Sequence, residues 1–253
     1  SLYGRNGFNY CNVYTITHPY IMGSLSKVQV HDDNFKKYFK EVSKYIFRFH
    51  KDHNVIITPK YDGCSFEEVY SEGNIVKAST RGDGKLGKDI TQLIKHLFTK
   101  KGIKWLTGKA YTIRGELLID KFLFAEKYAN DFKNPRSFVS GLVNADWDES
   151  LLDRVYDLSP VIYETCYYHN GEWIEEDWQN FSNVCDYLPK FSKYCKLNTV
   201  LGLEEVYNTF LKYRDNTCIF PLDGIVIKTE LKYRSKDRKE YPDDCVAIKF
   251  KPM

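Results

Sequence analysis

An α+β fold is predicted for this chain, on three observations. Short apolar runs rich in β-branched residues recur along it, helical periodicity fills several of the gaps between them, and small charged motifs sit at the ends of the runs. In residues 35–51, Phe35, Phe39, Val42, Tyr45, Ile46 and Phe49 fall at helical spacing behind an Asp33/Asn34 cap. VIITPK at 55–60 then reads as a strand, and SFEEVY followed by NIVKAST reads as a hairpin turning at Glu72-Gly73-Asn74. A short helix is expected over 88–98 with Asp89 in its first turn, a strand over 111–119, and an amphipathic segment over 120–131. Strands follow at 161–168, 222–229 and 245–251, separated by helices at roughly 175–188 and 203–214.

The chain has 253 residues, enough for a substantial core, and 43% of them are hydrophobic. No run of 18 apolar residues suggests a membrane span, and the N-terminus lacks the basic head and apolar run of a signal peptide. An intracellular or cytoplasmic monomer is expected, read as one domain over 1–253 with an N-terminal extension at 1–20; a start without Met suggests a processed or excised chain. Seven cysteines form an odd, scattered set with no CxxC pair, so reduced thiols are expected rather than a zinc site or a disulfide framework. A net charge of +3 does not by itself indicate nucleic acid. Local clusters at Lys36-Lys37, Lys100-Lys101 and Lys228 to Lys251 say more, because a basic groove beside a reactive lysine is a path for phosphates.

The chemistry starts at TPKYDGCSF, residues 58–66. A neutral Lys60 amine can attack the α-phosphorus of a nucleotide and form a covalent lysyl-phosphate bond, splitting one hard transfer into two easier ones. Asp62 can orient the amine, bind a metal or hold a ribose hydroxyl, and Gly63 lets the backbone come close to a ligand. KxDG alone is weak, arising by chance in roughly one chain in twenty of this length. Four further segments repeat its logic of one charged side chain at a strand end. STRGDGKLGKDIT at 79–91 offers Arg81 and three glycines that free the backbone for phosphate or sugar contact. IRGEL at 113–117 carries Glu116 in an apolar strand, where a buried acid needs a metal, a hydroxyl or Arg114 as partner. LDGIVIK at 222–228 puts Val226 and Lys228 on one face by alternation, and VAIKFKP at 246–252 does the same for Lys249 and Lys251. Together they supply carboxylates for a divalent cation and several cations for phosphates, the equipment of phosphoryl or nucleotidyl transfer.

On these motifs the sequence resembles the covalent nucleotidyltransferases, and within them the adenylation domain of NAD-dependent DNA ligases. KYDG, RGEL, LDGIVIK and AIKFKP resemble motifs shared across that superfamily, whereas STRGDGKLGKDIT, NPRSFVSGLVN at 134–144 and IMGSLSKV at 21–28 resemble segments of the NAD ligases themselves. The resemblance runs colinearly from about residue 18 to the end. It implies an ATP-grasp-like nucleotidyltransferase fold, with antiparallel sheets flanking a nucleotide cleft. It implies Lys60 as the adenylated nucleophile, Arg81 and Glu116 on the nucleotide's phosphate or ribose, and Asp62, Glu116 and Asp223 near Mg²⁺. Lys228 and Lys249 would contact the α-phosphate; Ser24, Leu25, Thr58, Tyr61 and Val226 would line the cofactor pocket, with Tyr163 or Tyr167 stacking on adenine. Arg136, Lys85 and Lys88 would contact DNA.

The implied activity is ligation. Lys60 takes AMP from NAD, passes it to the 5′-phosphate of nicked double-stranded DNA, and the 3′-hydroxyl then displaces it. Four departures from the family pattern stand out: Thr58 where an adenine-contacting Glu is usual, Asn144 in place of a second DNA-contacting Arg, Lys88 in place of an acid, and no nicotinamide-binding or OB-fold domain in this chain. The alternatives are an ATP-dependent DNA or RNA ligase domain, a non-catalytic nucleic-acid-binding relative, and a capping guanylyltransferase, which shares KxDG but leaves STRGDG and NPRS unexplained.

Overall fold

Two five-stranded sheets form the frame, each with its own apolar core on the outer face. The computed structural model describes residues 14–46, 53–103, 110–176, 187, 189, 191–229 and 237–253. The chain enters with β1 (Thr15–Thr17) and β2 (Ser26–Gln29). Helix α1 (Phe35–Val42) follows, started by the Asn34 side chain accepting from the Lys37 N–H. It buries Phe35, Tyr38, Phe39 and Val42, one face of a 3.6-residue repeat. Strand β3 (Asn54–Tyr61) and the hairpin β4 (Cys64–Ser71) and β5 (Asn74–Thr80) match the sequence expectation. Their turn places Glu72 and Gly73 at φ of 52° and 84°, the positive pair a two-residue hairpin loop requires.

Strand β6 (Leu86–Lys88) pairs with β1, and α2 (Thr91–Lys101) begins where the Asp89 carboxylate accepts from the Thr91 N–H. Strand β7 (Tyr111–Leu118) leads to α3 (Lys121–Lys127), capped by Asp120, and to α4 (Pro135–Asn144). Helix α4 carries a capping box between Asn134 and Ser137 with Pro135 in its first turn, so the NPRS segment is at once a motif and a helix start. The short α5 (Leu152–Val155), β8 (Ser159–His169), β9 (Glu172–Glu175), β10 (Lys193–Lys196), α6 (Val200–Asn216), β11 (Leu222–Thr229) and β12 (Cys245–Lys249) complete the order.

The first sheet runs β9-β8-β7-β4-β5 and is antiparallel throughout. The second runs β10-β3-β11-β12-β2, antiparallel except for the parallel pairing of β12 with β2. Helices α1 and α6 cover the second sheet through Val55, Ile57, Ile225, Ile227, Val246 and Ile248. Helices α2 and α4 cover the first through Phe66, Ile113, Leu117 and Ile162. Each fully buried aliphatic or aromatic side chain contributes about 1.5–3 kcal/mol, so both sheets are fixed by their outer faces. The inner faces are left for charge.

Four expectations change. Residues 14–20 are not an extension, because β1 pairs with β6 and both His18 and Tyr20 are buried. The first helix stops at Val42, and residues 47–52 lie outside the described ones. The segment expected to begin a helix at 175 is the strand β9 up to Glu175; the remainder of that expectation falls largely outside the described residues. The sheets are not purely antiparallel, because β2, read as a motif and not as a strand, adds alongside β12. Of the cysteines, the five described ones are free thiols, while Cys11 and Cys185 lie outside the described residues.

Candidate active site

Period-two alternation decides which side chains of the second sheet face inward. Ile57, Ile225, Ile248 and Val28 go to the core, so their neighbours turn to the opposite face. Direct pairing then sets up two rows across that face. Lys60, Gly224, Lys249 and Gln29 form one, and Thr58, Val226, Ala247 and Lys27 form the next. A Cβ on Gly224 would lie 2.1 Å from the Ile248 carbonyl oxygen, so only glycine fits between the two lysine-bearing strands there.

Lys60 Nζ donates to both oxygens of Asp223, at 3.1 and 3.2 Å, and Lys249 Nζ lies 3.9 Å from the same carboxylate. The first sheet contributes Glu116, from β7. Its carboxylate accepts from Ser65 Oγ at 3.0 Å and from the Gly63 N–H at 3.3 Å, so of the expected partners it takes the hydroxyl, and it adds a backbone amide. Burial pushes Glu116 up to about 7 against those two hydrogen bonds and Lys60. Asp62 is raised too, by burial first and by Asp223 second, while Arg136, Lys60 and Lys249 oppose the rise. The Arg136 guanidinium, in the first turn of α4, reaches to 3.7 Å from Asp62. Lys60, Asp62, Glu116, Asp223, Lys249 and Arg136 are thus gathered from five elements and a turn.

Burial also raises the Tyr163 hydroxyl, with Glu116 adding to it and a hydrogen bond to Ser65 opposing. Tyr167 pairs with Tyr111 in the register that sends Ile113 and Thr165 to the outer face, so Tyr163 is the aromatic of β8 that joins the site. A bulge between Arg114 and Gly115 brings Tyr163 round.

Three expected residues go elsewhere. Tyr61 is buried in the outer core, edge-on to Phe220, because it lies one residue along the strand from Lys60 and alternation turns it away. Lys228 does face inward, but its ammonium pairs with Glu175. It is registered against Ile56, four residues or about 13 Å along the strand from Lys60. Burial would lower Lys228, yet Glu175 and Glu164 outweigh it and hold the amine charged. Lys88 donates to the Ala145 carbonyl at the end of α4 at 2.8 Å, so it caps a helix, whereas Lys85 stays exposed.

The glycine loop also reads differently. Asp83 accepts from the Lys85 and Leu86 N–H groups, and a Cβ on Gly82 or Gly87 would lie about 2 Å from the carbonyl oxygen of Leu86 or Thr80 respectively. The glycines close the loop on itself and leave Arg81 at its edge. Ser24 is held by its N–H on the Glu240 carbonyl at 2.8 Å, beside a half-buried Leu25. As to metal, no group of three His, Cys, Asp or Glu side chains among the described residues is placed to hold an ion. The set Asp62, Glu116 and Asp223 is therefore not a three-ligand cage, since Asp223 is engaged by two lysines. Asp62 and Glu116 are the two carboxylates that would hold a magnesium ion, whose charge would offset that of a phosphate.

The residues that sequence reasoning missed form a second charged cluster between the sheets. Arg114 donates to Glu67 at 2.6 Å and to the carbonyls of Tyr20 and Ile21, and lies 3.8 Å from Glu164. Arg238 donates to Glu164 at 3.0 Å and to Glu175 at 2.6 Å, and Glu175 also takes Lys228. His18 bridges Glu67 and the Arg81 carbonyl, which ties β1 to the glycine loop. Burial raises Glu164, but Arg238 and Arg114 overcome it and hold that carboxyl low. Alternation could have found Glu67, the inward neighbour of the core residue Phe66, but nothing in the sequence joins Glu164 to Arg238.

A family profile described as the NAD-dependent DNA ligase adenylation domain matches residues 11–252. A putative DNA ligase of Invertebrate iridescent virus 6 is 31% identical over 218 residues, 85% of this chain and 33% of that protein. A DNA ligase of Acanthamoeba polyphaga mimivirus is 32% identical over 227 residues, 85% of this chain and 31% of that protein. A DNA ligase of the bacterium Nautilia profundicola is 29% identical over 219 residues, 79% of this chain and 31% of that protein. The chain spans about a third of the length of these relatives.

Proposed function

This chain belongs to the family of NAD-dependent DNA ligase adenylation domains, and from that premise we propose that Lys60 accepts AMP from NAD and hands it to the 5′-phosphate of nicked DNA. The reading rests above all on one observation: Lys60 is held through both oxygens of Asp223 on the inner sheet face, with Lys249 on the same carboxylate and Glu116 and Asp62 beside it. The Lys60 amine attacks the α-phosphorus, the bond from that phosphorus to the bridging oxygen breaks, and nicotinamide mononucleotide leaves with the electron pair. Asp223 orients the amine and is the nearest acceptor for the proton it sheds. Lys249 neutralises charge that builds on the α-phosphate oxygens, a term that weighs heavily in a site partly closed to water. Mg²⁺ held by Asp62 and Glu116 would neutralise further phosphate charge. Thr58 and Val226, one row along, would meet the base, with Tyr163 opposite on the other sheet; Thr58 offers a hydroxyl where an acid would read the adenine amine. Arg136, exposed in the first turn of α4, is the cation best placed to meet a DNA phosphate.

The test is intact mass of the full-length protein, before and after incubation with NAD, ATP or GTP plus Mg²⁺. An AMP adduct from NAD is expected, and Lys60→Ala abolishes it. An adduct from ATP alone would reassign the donor, a GMP adduct would indicate capping chemistry, and no adduct with any donor would refute the reading.

A further inference from the structure

Sequence motifs account for Lys60 and Lys249 on the inner face of the second sheet, but not for the lysine on its edge strand. Lys27 lies on β2, registered against Ala247 of β12, with Val28 on the opposite, core-facing side. Its side chain therefore emerges on the same face as Lys60 and Lys249, one strand beyond Lys249 and one row nearer Thr58. It is exposed, and among the described residues it has no carboxylate within ion-pairing distance, unlike Lys60 and Lys249, which share Asp223, and Lys228, which has Glu175. Burial first, and then the charges of Lys60, Lys249 and Arg81, lower its pKa, while Asp223 opposes them. Cations brought together without matching acids repel one another, and an arriving polyanion removes that repulsion. Nothing in the packing of β2 requires a lysine there, because the strand is fixed by Val28 and by its pairing with β12.

We propose that Lys27 is a donor-phosphate ligand of the adenylation step, binding the phosphate that departs when Lys60 takes AMP. The inference rests on the adenylation reading of Lys60. As the new bond from Lys60 Nζ to the α-phosphorus forms and the bond to the bridging oxygen breaks, the departing phosphate gains a negative charge, and Lys27 supplies the cation that meets it. Lys60 and Lys249 flank Asp223 within one row and serve the α-phosphate; Lys27, displaced by one strand and one row, serves the next anionic group along the donor. The chemistry recognised is a phosphate linked to the α-phosphate through oxygen, as in NAD or in a nucleoside triphosphate.

The step-resolved comparison uses the full-length protein as wild type, Lys27→Met and Lys27→Arg. In Lys27→Met the NAD concentration giving half-maximal adduct rises about tenfold, the worth of one charge-assisted phosphate contact, and Lys27→Arg recovers most of it. Sealing of a nick already carrying 5′-AMP involves no such donor phosphate, so in Lys27→Met it stays within about twofold of wild type. Unchanged donor dependence in Lys27→Met, or an equal loss in both steps, overturns the assignment. If the wild type takes AMP from no donor, the reading of Lys60 fails, and direct titration with NAD and with inorganic pyrophosphate decides Lys27 separately. Weaker binding by about tenfold in Lys27→Met then upholds the anion site, and equal or absent binding overturns it.

Discussion

Two charged clusters lie between the sheets, and they are built in opposite ways. Around Arg114 and Arg238, acids and bases are interleaved in buried surroundings at 2.6–3.0 Å, and the cations hold Glu164 ionised. Around Lys60 the groups are half-exposed and the pairing is loose. One carboxylate serves two lysines, Asp62 and Glu116 are both pushed upward, and Lys27 and Arg136 reach toward the same space. A cluster that satisfies itself ties two sheets together. One that leaves charge unanswered is equipped to receive a ligand. Lys228 marks the boundary, since by motif it belongs to the second kind and by contact to the first.

The comparison breaks most readily at Arg114. Arg114→Met removes a buried cation from Glu67 and Glu164, leaving them only His18 and Arg238, and is expected to cost about 3–5 kcal/mol in chemical denaturation, whereas Lys60→Ala changes stability by less than about 1 kcal/mol. Equal losses at the two sites would erase the distinction.

An acid outside both clusters sharpens it by having no hydrogen-bond partner among the described residues. Glu68 points into the outer core of the first sheet, neither oxygen has a hydrogen-bond partner among the described residues, and burial raises it to about 8. A carboxyl whose folded pKa lies above its unfolded value contributes stability that is complete below about pH 4.5 and is lost as pH rises toward 8. Glu116, raised to about 7, acts in the same sense over the lower part of that window. Glu68→Met is therefore expected to stabilise the fold by about 2–4 kcal/mol at pH 7 and to flatten stability between pH 4.5 and 8, read from denaturation midpoints across that range. An unchanged pH profile would mean that Glu68 finds a partner.

The smallest effect belongs to Lys88. With its ammonium on the Ala145 carbonyl, Lys88→Met is expected to cost about 1 kcal/mol of stability and to leave the salt dependence of DNA binding unchanged, while Arg136→Ala lowers that slope by about one counterion. A reduced slope in Lys88→Met would return that residue to the DNA interface.

Strands with an uninterrupted apolar alternation were legible almost to the residue: LDGIVIKT is β11 over Leu222–Thr229, and the hairpin turns at the Glu72-Gly73 pair foreseen for it. Helix α4 was missed because a motif drew attention away from its Asn134 cap and Pro135, which spell a helix start. Strand β10, KYCK, has too few apolar residues to announce itself, and it exists because β3 offers it an open edge. At the site, Lys60, Asp62, Glu116, Asp223 and Lys249, drawn from motifs far apart in the sequence, lie together in the structure. Tyr61, which the resemblance put in the cofactor pocket, is in the outer core, because neighbours on a strand point to opposite faces and Lys60 takes the inner one.

The sequence by itself determined most of the strands, which of their residues face inward, and the family. These are local properties, set by alternation and by short motifs that keep their spacing. Only the tertiary structure decided how the charges are matched: that Asp223 serves Lys60 and Lys249 together, that Lys228 is drawn to Glu175, and that Lys27 arrives on the edge of the lysine face with no acid paired to it among the described residues. Ion pairs form between residues tens to hundreds of positions apart. Their partners are chosen by distance and burial, which are fixed only once the sheets have docked.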